Sequence, residues 1–214
     1  MELGLLGVRL YLNFKMLDLL NSCKKCCRIS EYLFDLKKKY KDYYNKPVKG
    51  SGSIDSTICI VGLAPGLHGA NKTGKVFTGD FSGDILNSCL RSIGFKDPTS
   101  KDFPYITNAV KCCPPDNKPK YYEIKNCLGY LKSEILSMKK LKVIIALGKI
   151  SHLSILKSFD MASSKYVFEH GKIHDLLNDV ILIDSYHCSK LNINTKRVTR
   201  KMIKDILFRA KNVN

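Results

Sequence analysis

The chain has 214 residues, of which 44% are hydrophobic and 26% are charged, ordinary values for one globular domain with a full core. Its 36 lysines and arginines against 19 aspartates and glutamates leave a formal net charge of +17. This excess of positive charge favours a polyanionic partner such as nucleic acid, with a basic surface that merely keeps the protein soluble as the alternative.

The first fifteen residues are apolar, but Glu2, Arg9 and Lys15 interrupt them. These charges exclude an unbroken apolar span of about twenty residues, the length that crosses a bilayer. The segment also lacks the charged start and the small-residue cleavage site of a secretory signal. We therefore expect an amino-terminal extension over 1–15, a single domain over 16–214, a cytoplasmic location and no membrane.

Hydrophobic patterning predicts the remaining elements in chain order. A helix with a lysine-rich exposed side is expected over 16–44, and a loop over 45–53. Buried strands rich in β-branched or aromatic residues are expected over 57–61, 105–110, 143–147 and 180–183. Further helices are expected over 82–93, 121–139, 150–157 and 197–211. Strands alternating with helices predict an α/β fold, a three-layer α/β/α sandwich with a central four-stranded parallel sheet.

A glycine-punctuated loop over 62–80 leaves the first predicted strand. Ligands of open α/β sheets bind at the carboxyl ends of strands, where such loops begin. Phe77 near the end of the loop either stacks on a ligand or fills the core. Asp80 is either a base or water-orienting carboxylate, or the N-cap of the following helix. Together these features indicate a pocket for a flat, polar, largely uncharged molecule.

Part of this loop is close to a phosphate-binding sequence. The segment 69–76 matches the Walker A pattern except that Val76 stands where a serine or threonine coordinates magnesium. The strand also ends well before the segment, so it does not turn directly from strand into helix. A P-loop-like nucleotide-binding protein is therefore the weaker alternative.

Two polar residues follow other predicted strands. Asn108 lies in an otherwise apolar strand, and its amide offers the donor and the acceptor that match one edge of a pyrimidine. A hydrogen bond to a neighbouring loop is the structural alternative. His187 comes directly after the fourth strand, where an imidazole stabilises a developing anion or moves a proton. It is the best placed of the five histidines, and His68 in the first loop is second.

Nine cysteines without a signal peptide argue against a disulfide framework, since reducing compartments keep thiols free. Cys23 and Cys26 form a C-x2-C pair, and further cysteines lie downstream around positions 112 and 127. Four thiolates hold either a structural zinc or an iron–sulfur cluster. Cys27 and Cys113 stand beside candidate ligands and leave the register open, and four reduced thiols without metal are the alternative.

In combination, these motifs resemble the iron–sulfur uracil-DNA glycosylases of family 5, also called type 5, over about residues 19–207. The motifs that carry the resemblance are Gly62-Leu-Ala-Pro65 with its continuation to Asp84, His187-Cys-Ser-Lys-Leu-Asn192 with its continuation to Thr199, Tyr43-Tyr-Asn-Lys-Pro47, and the run from Cys112 to Pro119. The resemblance implies a uracil-DNA glycosylase-like fold. It also implies a [4Fe-4S] cluster on Cys23, Cys26, Cys112 and Cys127.

The same resemblance assigns roles to the loop residues. It implies that Phe77 stacks on a flipped-out base, that Asn108 reads the edge of this base, and that His187 stabilises the departing uracil anion. Flipping is required because the glycosidic bond is unreachable in a stacked duplex. Asp80 and His187 are the expected catalytic residues. The expected substrate-binding residues are Gly62, Ala64, Pro65, Phe77, Asn108, Ser189 and Asn192.

Two positions distinguish this chain within the pattern. Family 4 relatives carry glutamate after the first glycine, where Leu63 stands here, so Asp80 is the replacement candidate for positioning water. Family members usually read His-Pro-Ser where this chain has Cys188, and loss of the proline is expected to loosen the loop.

The expected function is a monofunctional DNA glycosylase that excises uracil and other deaminated or damaged bases and leaves an abasic site in base excision repair. DNA is the expected partner and a monomer the expected state. A catalytically inactive iron–sulfur DNA-binding protein is the second alternative.

Overall fold

The computed structural model describes residues 18–213 and has an α/β fold built on one mixed sheet. The strands are β1 (Ile58–Gly62), β2 (Tyr105–Asn108), β3 (Val143–Leu147), β4 (Ile173–Asp175) and β5 (Ile181–Ser185). The helices are α1 (Cys27–Lys39), α2 (Ala70–Thr73), α3 (Phe81–Ser92), α4 (Tyr121–Ser137), α5 (Lys149–Ser158), α6 (Lys190–Asn194) and α7 (Arg200–Lys211). Short 3-10 turns lie at Leu19–Ser22, Pro115–Asn117 and Ser163–Lys165.

The sheet has five strands in the order β2-β1-β3-β5-β4. The four strands predicted from the sequence pair in parallel, in a register that brings Gly62 opposite Asn108. β4 is an additional edge strand, antiparallel to β5, so the sheet is mixed rather than purely four-stranded and parallel. With only three residues, one of them buried, β4 has too little apolar patterning to be recognised in the sequence.

Successive residues of the central strands pack on opposite faces of the sheet. Ile58 and Ile60 of β1 join a core completed by α3 and α7. Cys59 and Val61 of the same strand face a second core, completed by α4 and α5. Helices therefore cover both faces of the sheet. This layering leaves the carboxyl ends of the parallel strands open for the loops that carry polar residues.

The first predicted helix is shorter than the 16–44 expected from its apolar pattern. A 3-10 turn ends at Ser22, the chain is extended at Cys23 and Cys26, and α1 then runs only to Lys39. This break turns the two cysteines towards the rest of the molecule instead of leaving them on a helix surface.

The predicted extension over 1–15 lies outside the described residues. Within residues 18–213, every helix is too short or too polar to span a membrane.

Candidate active site and cysteine cluster

A cavity of about 280 Å³ opens at the carboxyl ends of the parallel strands. It is bordered by residues from the loops after β1, β2, β3 and β5, so four separate segments of the chain meet there. The lining residues are Leu63, Ala64, Gly66, Ala70, Phe77, Asp80, Ser82, Asn108, Asn117, Leu147, Gly148, Lys149, Ile150, Ser151, His187 and Ser189. The position agrees with the rule that places ligands of α/β sheets at this edge.

Gly62, the last residue of β1, allows two cavity walls to approach one another. A Cβ atom at this position would lie 2.5 Å from Oδ1 of Asn108 and 2.6 Å from the ring of Phe77. Both distances are shorter than side chains tolerate, so only glycine permits this arrangement. The Asn108 side chain makes no hydrogen bond to another described residue, and its amide therefore remains available to a ligand in the cavity.

Phe77 has a backbone conformation that is unusual for a non-glycine residue. Its φ is +50°, in the left-handed region, where such residues cost about 1 kcal/mol or more. The Asn87 side chain holds this conformation by donating a hydrogen bond of 2.9 Å to the Phe77 carbonyl. Gly83 lets α3 approach the same carbonyl, since a Cβ there would collide with it. The ring of Phe77 is thus held in a fixed position at the cavity wall.

Asp80 has the capping role that was one of the two expected from the sequence. Its Oδ1 accepts a hydrogen bond of 2.9 Å from the Gly83 amide and so caps α3. Its Oδ2 makes no hydrogen bond to the described part of the chain. This oxygen lies so close to Gly66 and Gly69 that a side chain at either position would displace it. One oxygen of the carboxylate is therefore structural, and the other borders the cavity.

His187 lies on the loop after β5, and its ring centroid is 6.3 Å from that of Phe77. The Asn192 side chain donates a hydrogen bond of 2.8 Å to the His187 carbonyl, and the Ser189 hydroxyl caps α6. Burial lowers the pKa of His187 below the ordinary imidazole value, while the charge of Asp80 acts in the opposite direction. The neutral imidazole is thus favoured at neutral pH.

Cys188 is fully buried, and its thiol lies 3.4 Å from the Ser82 carbonyl at the start of α3. Burial raises its pKa to about 12. The side chain therefore connects the His187 loop to α3, and the looser loop expected from the missing proline stays a prediction.

The cavity brings together six of the nine predicted catalytic and substrate-binding residues. The other three do not border the cavity. Gly62 packs behind Asn108 and Phe77, Asn192 bonds to the His187 backbone, and Pro65 is buried in the first loop. Sequence reasoning missed the wall formed by Asn117 and by the residues 147–151. The glycine that follows β3 and precedes α5 was the available signal, since it marks another loop at the same sheet edge.

The Walker-like segment has no phosphate-loop geometry. It forms the four-residue α2 and a turn at Gly74, and the next long helix begins only at Phe81. The Lys75 amide is already bonded to the Thr73 hydroxyl, 3.2 Å away. The amides of residues 71–74 are also bonded, to the carbonyls of Gly66, Gly69 and Ala70, so these backbone donors are not free to cradle a phosphate.

Four cysteines border a small second cavity between α1, the loop after β2 and α4. They are Cys23, Cys26, Cys112 and Cys127. Cys27 is exposed, and Cys113 is buried in the apolar core beside Cys127, with its thiol towards the Pro114 carbonyl. The fold therefore brings together the four cysteines that the family resemblance implied. Cys27 and Cys113 do not border this cavity.

The positions of the cysteine sulfurs can be compared with those in a zinc site. Within residues 18–213, no three cysteine sulfurs all lie within 4.8 Å of one another. A tetrahedral zinc site with Zn–S bonds of about 2.3 Å would draw its sulfurs to roughly 3.8 Å. In every three of these thiols, at least one pair of sulfurs is therefore farther apart than in a single zinc site. Burial and the neighbouring thiols raise the pKa of Cys112, and burial raises that of Cys127 to about 11.

A third polar cluster is hydrogen-bonded rather than metal-binding. Asp184 accepts bonds of 2.7 Å from His152 and 2.9 Å from His174, and all three side chains are buried. Two ligands of one tetrahedral ion lie about 3.3 Å apart for bonds of roughly 2.0 Å, so the shorter contacts indicate shared protons. Nε2 of His152 also lies 2.9 Å from the Tyr166 carbonyl, which ties the start of the 166–171 loop to α5.

A cavity at the strand ends, walled by an aromatic ring, an amide, a carboxylate and an imidazole, defines an α/β protein with a site of the right chemistry for a planar polar group. The family profile of the uracil DNA glycosylase superfamily matches residues 49–210, and the chain belongs to this family.

Individual relatives narrow the assignment and confirm the resemblance to type 5. A type-5 uracil-DNA glycosylase of Thermus thermophilus is 34% identical over 206 residues, covering 90% of this chain and 94% of that protein. A type-5 enzyme of Pyrobaculum aerophilum is 34% identical over 202 residues, 88% of each chain. A type-4 uracil-DNA glycosylase of Archaeoglobus fulgidus is 32% identical over 156 residues, 72% of this chain and 69% of that protein.

Proposed function

We propose that the protein is a monofunctional uracil-DNA glycosylase that hydrolyses the bond between the base and C1′ and leaves an abasic site. The observation that carries this proposal is the meeting of Phe77, Asn108, Asp80 and His187 around one cavity at the strand ends. Family membership and the similarity to type-5 enzymes support the same activity. The cavity is built from this one chain, in keeping with action as a monomer.

Base recognition rests on the fixed walls of the cavity. The base leaves the DNA stack, because its glycosidic bond cannot be reached inside a duplex. Phe77 offers a ring face for stacking, and the free Asn108 amide donates to and accepts from the edge of a pyrimidine. The unstacked base thereby exchanges its partners in DNA for partners in the protein.

The chemistry follows from charge that develops as the bond breaks. The sugar gains positive character and the base leaves with a negative charge. A neutral His187 ring donates a hydrogen bond to this leaving group, and burial makes that bond stronger than it would be in water. The free oxygen of Asp80 faces the opposite charge, on the sugar, or orients the attacking water. No lysine is assigned as a nucleophile, so strand cleavage is not expected.

The four cysteines of the second cavity would hold a [4Fe-4S] cluster. Thiolates are the usual ligands of such clusters, and the four cysteines line one small cavity without forming a closed single-zinc site. Bound there, the cluster would supply a structural tie between the amino-terminal segment and the loop after β2. None of the steps of base excision requires it.

DNA binding is supported by charge and by the surface beside the cavity. The formal charge of +17 favours contacts with phosphates. On the loop that lines the cavity, His68 accepts or donates a hydrogen bond of 2.9 Å with the Tyr43 hydroxyl. The Lys72 ammonium lies over the Tyr43 ring at 5.5 Å. Partly exposed aromatic rings beside lysines are typical of surfaces that hold a nucleic acid strand.

The test uses purified protein with single- and double-stranded oligonucleotides that carry one uracil, followed by alkali. Alkali-labile product from uracil DNA is expected, without cleavage before the alkali step. Hypoxanthine and ethenocytosine DNA extend the test to other damaged bases. Protein that binds all of these DNAs but leaves them intact would support the inactive DNA-binding alternative. Nucleotide-dependent magnesium binding would support the P-loop alternative.

A further inference from the structure

A lysine is buried directly behind the strand end that carries Asn108. Lys111 is fully buried, and its ammonium donates to the Asn108 carbonyl at 2.7 Å, to the Thr107 hydroxyl at 2.7 Å and to Glu134 at 2.5 Å. An ammonium has three donors, so all of them are used. The side chain of Asn108 therefore faces the cavity, and its backbone carbonyl faces the Lys111 ammonium.

Glu134 of α4 is equally buried and completes the arrangement. One of its carboxylate oxygens accepts from the Gly50 amide at 3.0 Å, and the other accepts from the Thr107 hydroxyl at 2.6 Å as well as from Lys111. Every member of this network has its partners. A fully satisfied buried network is rigid, because any rotation leaves a charged group without a hydrogen bond in a dry environment.

The backbone of Lys111 is held just as closely. Its carbonyl accepts a bond of 2.7 Å from the Val48 amide, and its own amide bonds to the thiol of Cys127. Between Asn108 and Lys111, the amides of Ala109 and Val110 bond to the end of β1 at 2.9 Å. The turn from 108 to 111 is thus fixed on all sides, with the lysine side chain folded back onto its start.

Stability alone is a weak reason for this ion pair. A buried pair gains little over well-packed apolar side chains of similar volume, because removing two charges from water is costly. Apolar side chains could not hold a backbone carbonyl, whereas the Lys111 ammonium holds the carbonyl of the Asn108 peptide. The side-chain amide of Asn108 borders the cavity and is free to contact a base.

We propose that Lys111, paired with Glu134, is a positioning residue for base recognition. It fixes the Asn108 peptide and thereby the angle at which the Asn108 amide meets the edge of uracil. The inference rests on the proposed role of Asn108 in the glycosylase. Misplacement of a binding group by about 1 Å lowers activity by up to roughly 100-fold.

A double-mutant cycle separates positioning from a general structural role. The variant Lys111→Met/Glu134→Gln removes both charges together, and the new amide of Gln still pairs with the Gly50 amide and the Thr107 hydroxyl. It is combined with Asn108→Ala. The measurements are the Kd of free uracil by calorimetry and kcat/KM on uracil DNA. Thermal unfolding and the absorbance near 400 nm report on folding and on the cysteine cluster.

With Asn108 present, we expect the paired substitution to weaken uracil binding and kcat/KM by about tenfold or more. With Asn108→Ala, the same substitution should change either quantity less than about twofold, because the group it positions is gone. Equal losses in both backgrounds, or a folded variant with wild-type binding, would overturn the proposal. If the paired variant does not fold, Thr107→Val removes one acceptor and should give a smaller loss with the same dependence on Asn108.

The matched control is a second ion pair with a buried carboxylate. Arg28 bonds to Glu123 at 2.7 Å, close to the cysteine segment but without contact to a cavity residue. Arg28→Met/Glu123→Gln should leave the uracil Kd within about twofold of wild type. Protein that binds uracil but does not excise it contradicts the proposed activity, whereas an additive cycle contradicts the role of Lys111.

Discussion

Gly62→Ala is the change that most directly tests the cavity geometry. The added methyl group would lie 2.5 Å from the Asn108 oxygen and 2.6 Å from the Phe77 ring, whereas ordinary contact begins at 3.4 Å. Both groups must therefore retreat by about 1 Å. Such a displacement costs up to roughly 100-fold in kcat/KM, or about 2.7 kcal/mol of transition-state stabilisation. Overpacking should lower the unfolding free energy by about 1–3 kcal/mol.

Single-turnover and steady-state excision from a uracil oligonucleotide measure the loss, with chemical denaturation measuring stability. Gly171→Ala is the control, because its φ of +81° gives a similar strain of about 1–2 kcal/mol while no atom lies within 4 Å of the added Cβ. It should keep wild-type kcat/KM. Wild-type activity of Gly62→Ala, or an equal loss in the control, would refute the argument that Gly62 sets the position of the two walls.

Three further predictions concern the catalytic groups and the thiols. Asp80→Asn keeps the helix cap but removes the charge, so kcat should fall without loss of stability. Asp80→Ala should in addition lose about 1 kcal/mol of unfolding free energy. An unchanged kcat in Asp80→Asn would leave only the capping role. Because burial lowers the pKa of His187, the unfolded chain binds a proton at this imidazole more tightly than the folded chain does. Wild-type stability should therefore fall relative to that of His187→Gln as the pH drops below about 6.5. Parallel curves of stability against pH for the two proteins would contradict this. Anaerobically purified protein should be brown, with absorbance near 400 nm. Cys23→Ser should lose this absorbance, and Cys27→Ser should keep it. A colourless wild-type protein that contains zinc would exclude the cluster.

The sequence was sufficient to predict the parallel strands and the sheet edge that carries the cavity. β3 has the predicted bounds 143–147, and the others are displaced by one or two residues at most of their ends. These strands are continuous apolar runs because both of their faces are buried, which makes them the clearest signals in the chain. The first glycine-rich loop and His187 follow two of them, so their proximity could be predicted from topology alone.

Other features depend on contacts that no local pattern encodes. β4 is an exposed edge strand of three residues, and its pairing partner rather than its composition makes it a strand. The break in the first helix at residues 23–26 follows from the convergence of distant cysteines. Lys111 looks like any surface lysine in a basic chain until Glu134, 23 residues later on α4, is placed beside it.

Asp80 and His187 illustrate why the site must be considered as one electrostatic unit. The carboxylate raises the pKa of the imidazole that burial lowers, so the protonation state of His187 depends on a residue of another loop. Replacing Asp80 with asparagine should therefore lower the pKa of His187 further, in addition to removing charge near the sugar. The acidic limb of the kcat profile should then move to lower pH in Asp80→Asn, with the imidazole followed directly by NMR titration. An imidazole that titrates at the same pH in both proteins would mean that the two side chains act independently.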